Sequence, residues 1–245
     1  MKSLFFFGTL FLVALSARAT SITFTDTTFN LANYSESPLF KTNASDSFTF
    51  AQCPTCGNPG LALQTIATLT NSLDTAALGF VNNTFSYNPS VQGAISSIDA
   101  SVDKDLSTNV DATGAGNTFR PLIEQNGMFY LAAIPGPPVS GTTTGYNTIA
   151  QFGLVATDFV QFDFSSGNFI TGSNPNFAGG PMLLGLAQRS QAGVAGEVIE
   201  ADYDNLNLTI HSVPDNGSTA AMLLLGIFIL LMARPKTIRG AQAHK

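Results

Sequence analysis

Leu206-Asn207-Leu208-Thr209-Ile210 carries an apolar side chain at every second position. On an extended chain this puts the three apolar groups on one face and the two polar ones on the other. Related runs lie upstream: Ile22-Thr23-Phe24-Thr25, Phe48-Thr49-Phe50, Ile95-Ser96-Ser97-Ile98, Phe129 to Ile134 and Val160-Gln161-Phe162-Asp163-Phe164. Between them stand turn formers such as Gly57-Asn58-Pro59-Gly60 and Asn126-Gly127, so the pattern is one of half-buried strands joined by tight turns. A helix needs apolar residues at three- and four-residue intervals sustained over ten or more positions, which the middle of the chain does not supply. About ten to thirteen strands are expected over residues 20–212. Strands recurring in one continuous region predict an all-β, two-sheet jelly-roll sandwich rather than two domains.

The 245 residues are ample for such a core, and charged residues make up only 11% of them. That leaves a surface rich in Ser, Thr, Asn and Gly rather than a disordered acidic chain or a coiled coil. Residues 20–212 hold fifteen of the sixteen acids and four of the ten bases (Lys41, Lys104, Arg120 and Arg189), a net of −11. Such a charge excludes the electrostatic footprint of a nucleic-acid binder. It should also repel anionic glycans, so neutral polymers, or anionic ones bridged by a divalent cation, are the expected partners.

The two ends read differently from the middle. Met1-Lys2-Ser3, an apolar run from Leu4 to Leu15, and Ala17-Arg18-Ala19 have the order of a secretory signal peptide over 1–19, cleaved after Ala19 to leave Thr20 as the first residue. At the other end, Val213-Pro214-Asp215-Asn216-Gly217-Ser218-Thr219 precedes an uncharged stretch from Ala220 to Ala233, then Arg234, Lys236, Arg239 and Lys245. Residues 217–233 would rise roughly 25 Å as a helix, slightly short of a hydrocarbon core of about 30 Å. Snorkelling by Arg234 and Lys236 makes up the difference. The basic tail, 234–245, should stay in the cytoplasm, leaving the body of the chain outside.

Val-Pro-Asp-x-Gly-Ser-Thr, one apolar helix and a basic end together resemble the PEP-CTERM sorting signal of Gram-negative bacteria over 213–245. Val213, Pro214, Asp215, Gly217, Ser218 and Thr219 carry that resemblance. It implies that the helix holds an exported protein in the inner membrane until an exosortase, a dedicated transpeptidase, cleaves near the motif. It further implies a cell-envelope or secreted destination alongside exopolysaccharide. The run of Phe119 to Gly127, Asn174-Pro175-Asn176-Phe177, Gly179 to Gly185 and Tyr203-Asp204-Asn205-Leu206 is similar to the concanavalin-like or laminin-G-like jelly rolls found ahead of such tails. In those domains an Asp-Asn-apolar step opens the last strand.

Several constellations could carry chemistry. Cys53-Pro54-Thr55-Cys56 has redox spacing, but Gly57-Asn58-Pro59-Gly60 forbids the helix such a motif needs. A local structural disulfide in an oxidising compartment is the expectation. Glu200-Ala201-Asp202-Tyr203-Asp204 puts three carboxylates on one face of a strand about 6.5 to 7 Å apart. That is similar to the Glu-x-Asp-x-Glu signature of jelly-roll β-glucanases, with Glu200 and Asp204 as the alternative glycosidase pair; Asp202 and Asp204 are also the candidates for a bound Ca²⁺. Sugar binding leans on aromatic platforms. With no Trp, the five tyrosines (34, 87, 130, 146 and 203) are the substitutes, and Tyr87 and Tyr146, in turn-rich stretches, are the candidate glycan contacts. His211 and His244 are the only histidines, and the position of His211 beside the sorting signal argues against a Ser-His-Asp hydrolase. The expectation is an exported, non-enzymatic protein of structural or adhesive role with no required cofactor; the alternatives are a lectin-like module and a glycoside hydrolase.

Overall fold

Within Ala76-Ala77-Leu78-Gly79-Phe80-Val81 and Met182-Leu183-Leu184-Gly185-Leu186-Ala187 the alternation gives way to nearly continuous apolar sequence. This is the signature of strands covered on both faces. The computed structural model describes residues 20–106, 115–134 and 145–213, and it places these two runs side by side in the interior of the larger of two sheets. The strands, in chain order, are β1 (Ser21–Asp26), β2 (Tyr34–Glu36), β3 (Phe40–Lys41), β4 (Ser47–Gly57), β5 (Gly60–Leu69), β6 (Thr75–Tyr87), β7 (Ile95–Leu106), β8 (Gly116–Gln125), β9 (Met128–Ala132), β10 (Asn147–Leu154), β11 (Phe159–Asp163), β12 (Asn168–Ile170), β13 (Met182–Gln191) and β14 (Glu197–Ser212). A single helical turn, α1 (Pro89–Gln92), caps itself through the Asn88 side chain.

The smaller sheet has the order β10-β7-β14-β5-β4, with β1 also pairing β14. The larger has β12-β11-β9-β8-β13-β6-β2, with β3 also pairing β6. All described pairings are antiparallel. The molecule is therefore an all-β two-sheet sandwich. Fourteen described strands exceed the expected ten to thirteen because β2, β3 and β12 have only two or three residues, too few to display a period. Asn126-Gly127 forms the expected two-residue hairpin between β8 and β9. Both residues have positive φ, as a type I′ turn requires.

Two apolar layers result. The main core lies between the sheets and includes Leu63, Phe80, Val102, Phe119, Leu186 and Tyr203, all at most 1% exposed. A second cluster covers the opposite face of the larger sheet, built from Ala77, Val81, Leu122, Leu131, Phe162, Phe164 and Ala187. Phe164 lies over Gly79, and the Phe40 ring occupies the space beside Gly167. The chain leaving β11 thus crosses that face as far as β3.

One expectation needs correction. Asp204-Asn205-Leu206 does not open the last strand; it lies in the middle of β14 as a bulge, with Asn205 at positive φ and a register shift between Asp204 and Asn207. The bulge falls where β14 changes neighbour on one side, from β5 (Glu197 to Tyr203) to β1 (Leu206 to His211), while β7 flanks it on the other. The expected signal peptide, 1–19, and the expected sorting motif beyond Val213, helix 217–233 and tail lie outside the described residues. Among the described residues no helix is long and apolar enough to cross a membrane.

Candidate functional site

Two of the three expected carboxylates on β14 meet two more across the sheet. The register sets Asp202 opposite Asp105 and Asp204 opposite Asp103, with like charges facing on the side of the smaller sheet away from the core. Asp204 is 1% exposed because the tip of the β4–β5 hairpin folds onto it: the Asn58 backbone N–H donates to its Oδ2 at 2.6 Å and the Asn205 N–H to its Oδ1 at 2.7 Å. Asp103 accepts from Asn205 Nδ2 at 2.8 Å and Thr148 Oγ1 at 2.5 Å. Glu200 accepts from Gln64 Nε2 at 2.8 Å. Both oxygens of Asp204 are thus engaged by the backbone, which gives no support to a glycosidase pair with Glu200. Among the described residues no group of three or more His, Cys, Asp or Glu side chains is arranged to hold a metal ion.

Asp105 adds a fourth carboxylate to this face, and its buried Oδ1 has no hydrogen-bond partner. Asp105→Asn is therefore expected to stabilise the protein at neutral pH by about 0.5–1 kcal/mol by removing one cross-strand repulsion. Urea unfolding at pH 7 reads this directly, and a destabilised variant would show that the charge has a role the geometry does not reveal.

Cys53 and Cys56 are joined as a disulfide in the same hairpin tip, and the Cys56 carbonyl accepts the Tyr146 hydroxyl. Burial, followed by the field of Asp202, Asp204, Asp105 and Asp103, pushes that hydroxyl above the ordinary tyrosine range. Tyr146 is half-buried. Tyr87 requires a correction: at 1% exposure, with its hydroxyl donating to the carbonyls of Gln92 (3.1 Å) and Gly93 (2.7 Å), its ring faces the core and offers no platform to a sugar.

Three arrangements escaped the linear reading. The first is a buried polar network at the centre of the sandwich. Alternation along Ile98-Asp99-Ala100-Ser101-Val102-Asp103-Lys104 carries Lys104 to an inward position at 0% exposure. Its ammonium nitrogen donates to the Asn117 carbonyl, and the Tyr203 hydroxyl to Asn117 Oδ1 and, at 3.0 Å, to Gln188 Oε1. Asn117 Nδ2 reaches Gln188 Oε1 and Ser190 Oγ, each at 3.0 Å. Burial alone lowers the Lys104 amine to about 7.

The second joins Ser21 Oγ to His211 Nδ1 at 2.9 Å and His211 Nε2 to Asp99 Oδ2 at 2.8 Å. The cause is register: Ser21 on β1 pairs with His211 on β14, and β7 lies on the other side. The members are those of a hydrolase triad with the ring nitrogens exchanged, since a catalytic serine faces Nε2. The relay ties three strands together where the sandwich ends. There the Thr20 hydroxyl lies 2.8 Å from that of Ser212, and the Val213 N–H donates to the Ala94 carbonyl at 2.7 Å. Thr20 and Val213, the two points at which the chain leaves the sandwich, are therefore neighbours. The third arrangement is a pair of arginines on the outer face of the larger sheet, described below.

Residues 212–236 match the VPDSG-CTERM motif, so the chain carries a PEP-CTERM-like sorting signal, as the residues implied. No sequence among curated proteins matches the chain. The sandwich is similar to the family 11 carbohydrate-binding module of the cellulosomal cellulase Lic26A-Cel5E of Clostridium thermocellum, at 10% identity and a TM-score of 0.43, over 76% of this chain and 93% of that one. It is also similar to SO2946, a protein of unknown function from Shewanella oneidensis MR-1 (10% identity, TM-score 0.39, 80% and 89%). A third likeness is to the family 30 module of the cellulase Cel9D-Cel44B of Clostridium thermocellum (9%, TM-score 0.37, 71% and 92%). With TM-scores below 0.5, these likenesses carry no functional argument.

Proposed function

We propose that this chain is an exported β-sandwich held in the inner membrane by residues 217–233, with its body on the far side. An exosortase-like transpeptidase then cleaves near Val213 to Thr219 and leaves the sandwich at the cell surface or in the surrounding polysaccharide, in a structural or adhesive role. The observation that carries this reading is the VPDSG-CTERM match, which begins at Ser212, the last residue of β14. The last described strand ends at Ser212, so cleavage beyond Val213 would leave every described strand in place. The disulfide suits an oxidising compartment. The bonds between Thr20 and Ser212 close the sandwich at its point of attachment.

Mass spectrometry of the protein recovered from its own cells tests the reading. A chain starting at Thr20 and ending within 213–219 is expected. A chain ending at Lys245 would overturn the processing step, and one that retains residues 1–19 in the cytoplasm would overturn export.

A further inference from the structure

Arg120 on β8 and Arg189 on β13 both project from the outer face of the larger sheet, where Arg120 pairs in register with Ala187 and Arg189 with Thr118. They are two of only four basic residues in a body of net charge −11. Arg120 is 8% exposed, its Nη1 donating to the carbonyls of Ala132 and, at 2.6 Å, Ala133. Arg189 is half-buried. Among the described residues neither guanidinium is ion-paired, and the two are close enough for the charge of Arg189 to oppose that of Arg120. Burying one guanidinium and setting a second beside it costs free energy that no acid of the described sandwich offsets, although its described residues include fourteen acids.

The two cations share a shallow hollow with Ala77, Leu131, Phe162 and Phe169. The Phe169 ring centroid lies 5.2 Å from the Arg120 guanidinium carbon, and Phe169 is only half-buried. A forked cation matches a carboxylate bidentately, and a phenyl face beside it covers the apolar side of a pyranose. We infer that this hollow takes the carboxylate of a sugar acid, with the ring of that sugar against Phe169. An acidic peptide would meet the same cations but leave the phenyl face unused. The opposite side of the sandwich, with its four aspartates, repels a polyanion, so an acidic glycan is received on one face only. This qualifies the expectation drawn from net charge and is independent of the sorting reading, since every residue involved lies within the sandwich.

Calorimetric titration of the full chain in detergent with trigalacturonate, neutral galactotriose, triglutamate and acetate tests it. Saturable binding of trigalacturonate alone is expected, weakened by added salt. Arg189→Gln should weaken it at least about tenfold, the scale of one charge-assisted pair, and Arg189→Lys, which keeps the charge but loses the fork, by less. Arg120 is left in place because it also binds two carbonyls of the fold. Absence of trigalacturonate binding, equal binding of galactotriose, triglutamate or acetate, or full binding by both Arg189 variants would each overturn the inference.

Discussion

Lys104→Met is expected to raise the stability of the sandwich at pH 6 by about 3–4 kcal/mol and to flatten its rise between pH 7 and pH 9.5. The amine is wholly buried, and burial lowers it from 10.5 to about 7. Between those values the unfolded chain binds a proton that the folded chain does not, so stability climbs with pH across that window. Below it the ammonium is buried charged, at about 1.4 kcal/mol for each unit of displacement. Methionine keeps the length of the side chain and removes that charge. It leaves the Asn117 carbonyl without its donor, a loss of about 1 kcal/mol that reduces the gain. Urea unfolding at pH 6, 7.5 and 9.5 measures both effects, and a variant with the slope of the parent would place the pH dependence elsewhere. The range stops at 9.5 because burial holds the Tyr34 and Tyr203 hydroxyls above the ordinary range. Their ionisation in the unfolded chain near pH 10 then turns the trend downward.

Gly185→Ala should have the opposite effect, a loss of about 3 kcal/mol or more, or failure to fold. Gly185 sits in β13 between β6 and β8, paired with Val81 on one side and Leu122 on the other. A Cβ there would strike the Phe80 carbonyl and the Val81 backbone. Backbone hydrogen bonds on both edges prevent β13 from withdrawing, and the chain from β11 covers the outer face. Gly116→Ala is the control, because nothing lies within 4 Å of its added Cβ. It should stay within about 0.5 kcal/mol of the parent. Similar denaturation midpoints for the two variants would show that the close approach at Gly185 is not what holds β6 to β13.

The strands, the hairpin at Asn126-Gly127 and the sorting signal were legible because each is a short-range property: a period of two, a pair of residues that accept positive φ, a run of residues matched in order. Lys104 was readable in principle, since the alternation that buries Ile98, Ala100 and Val102 runs through it. A lysine is ordinarily assigned to water, and the polar network that it joins draws Asn117, Gln188 and Tyr203 from three other strands. Tyr87 misled for the opposite reason: its turn-rich neighbourhood suggested exposure, whereas the carbonyls of Gln92 and Gly93 hold its hydroxyl and the core takes its ring.

Local pattern and composition were enough for an all-β body followed by a sorting signal, because side-chain period, turn chemistry and motif order act over a few residues. The meeting of Ser21 with His211 and Asp99, of four aspartates across β7 and β14, and of Arg120 with Arg189 depended on which strands became neighbours and in what register. Strand pairing couples residues separated by as many as 190 positions, and a shift of one residue would turn each of these side chains to the other face of its sheet.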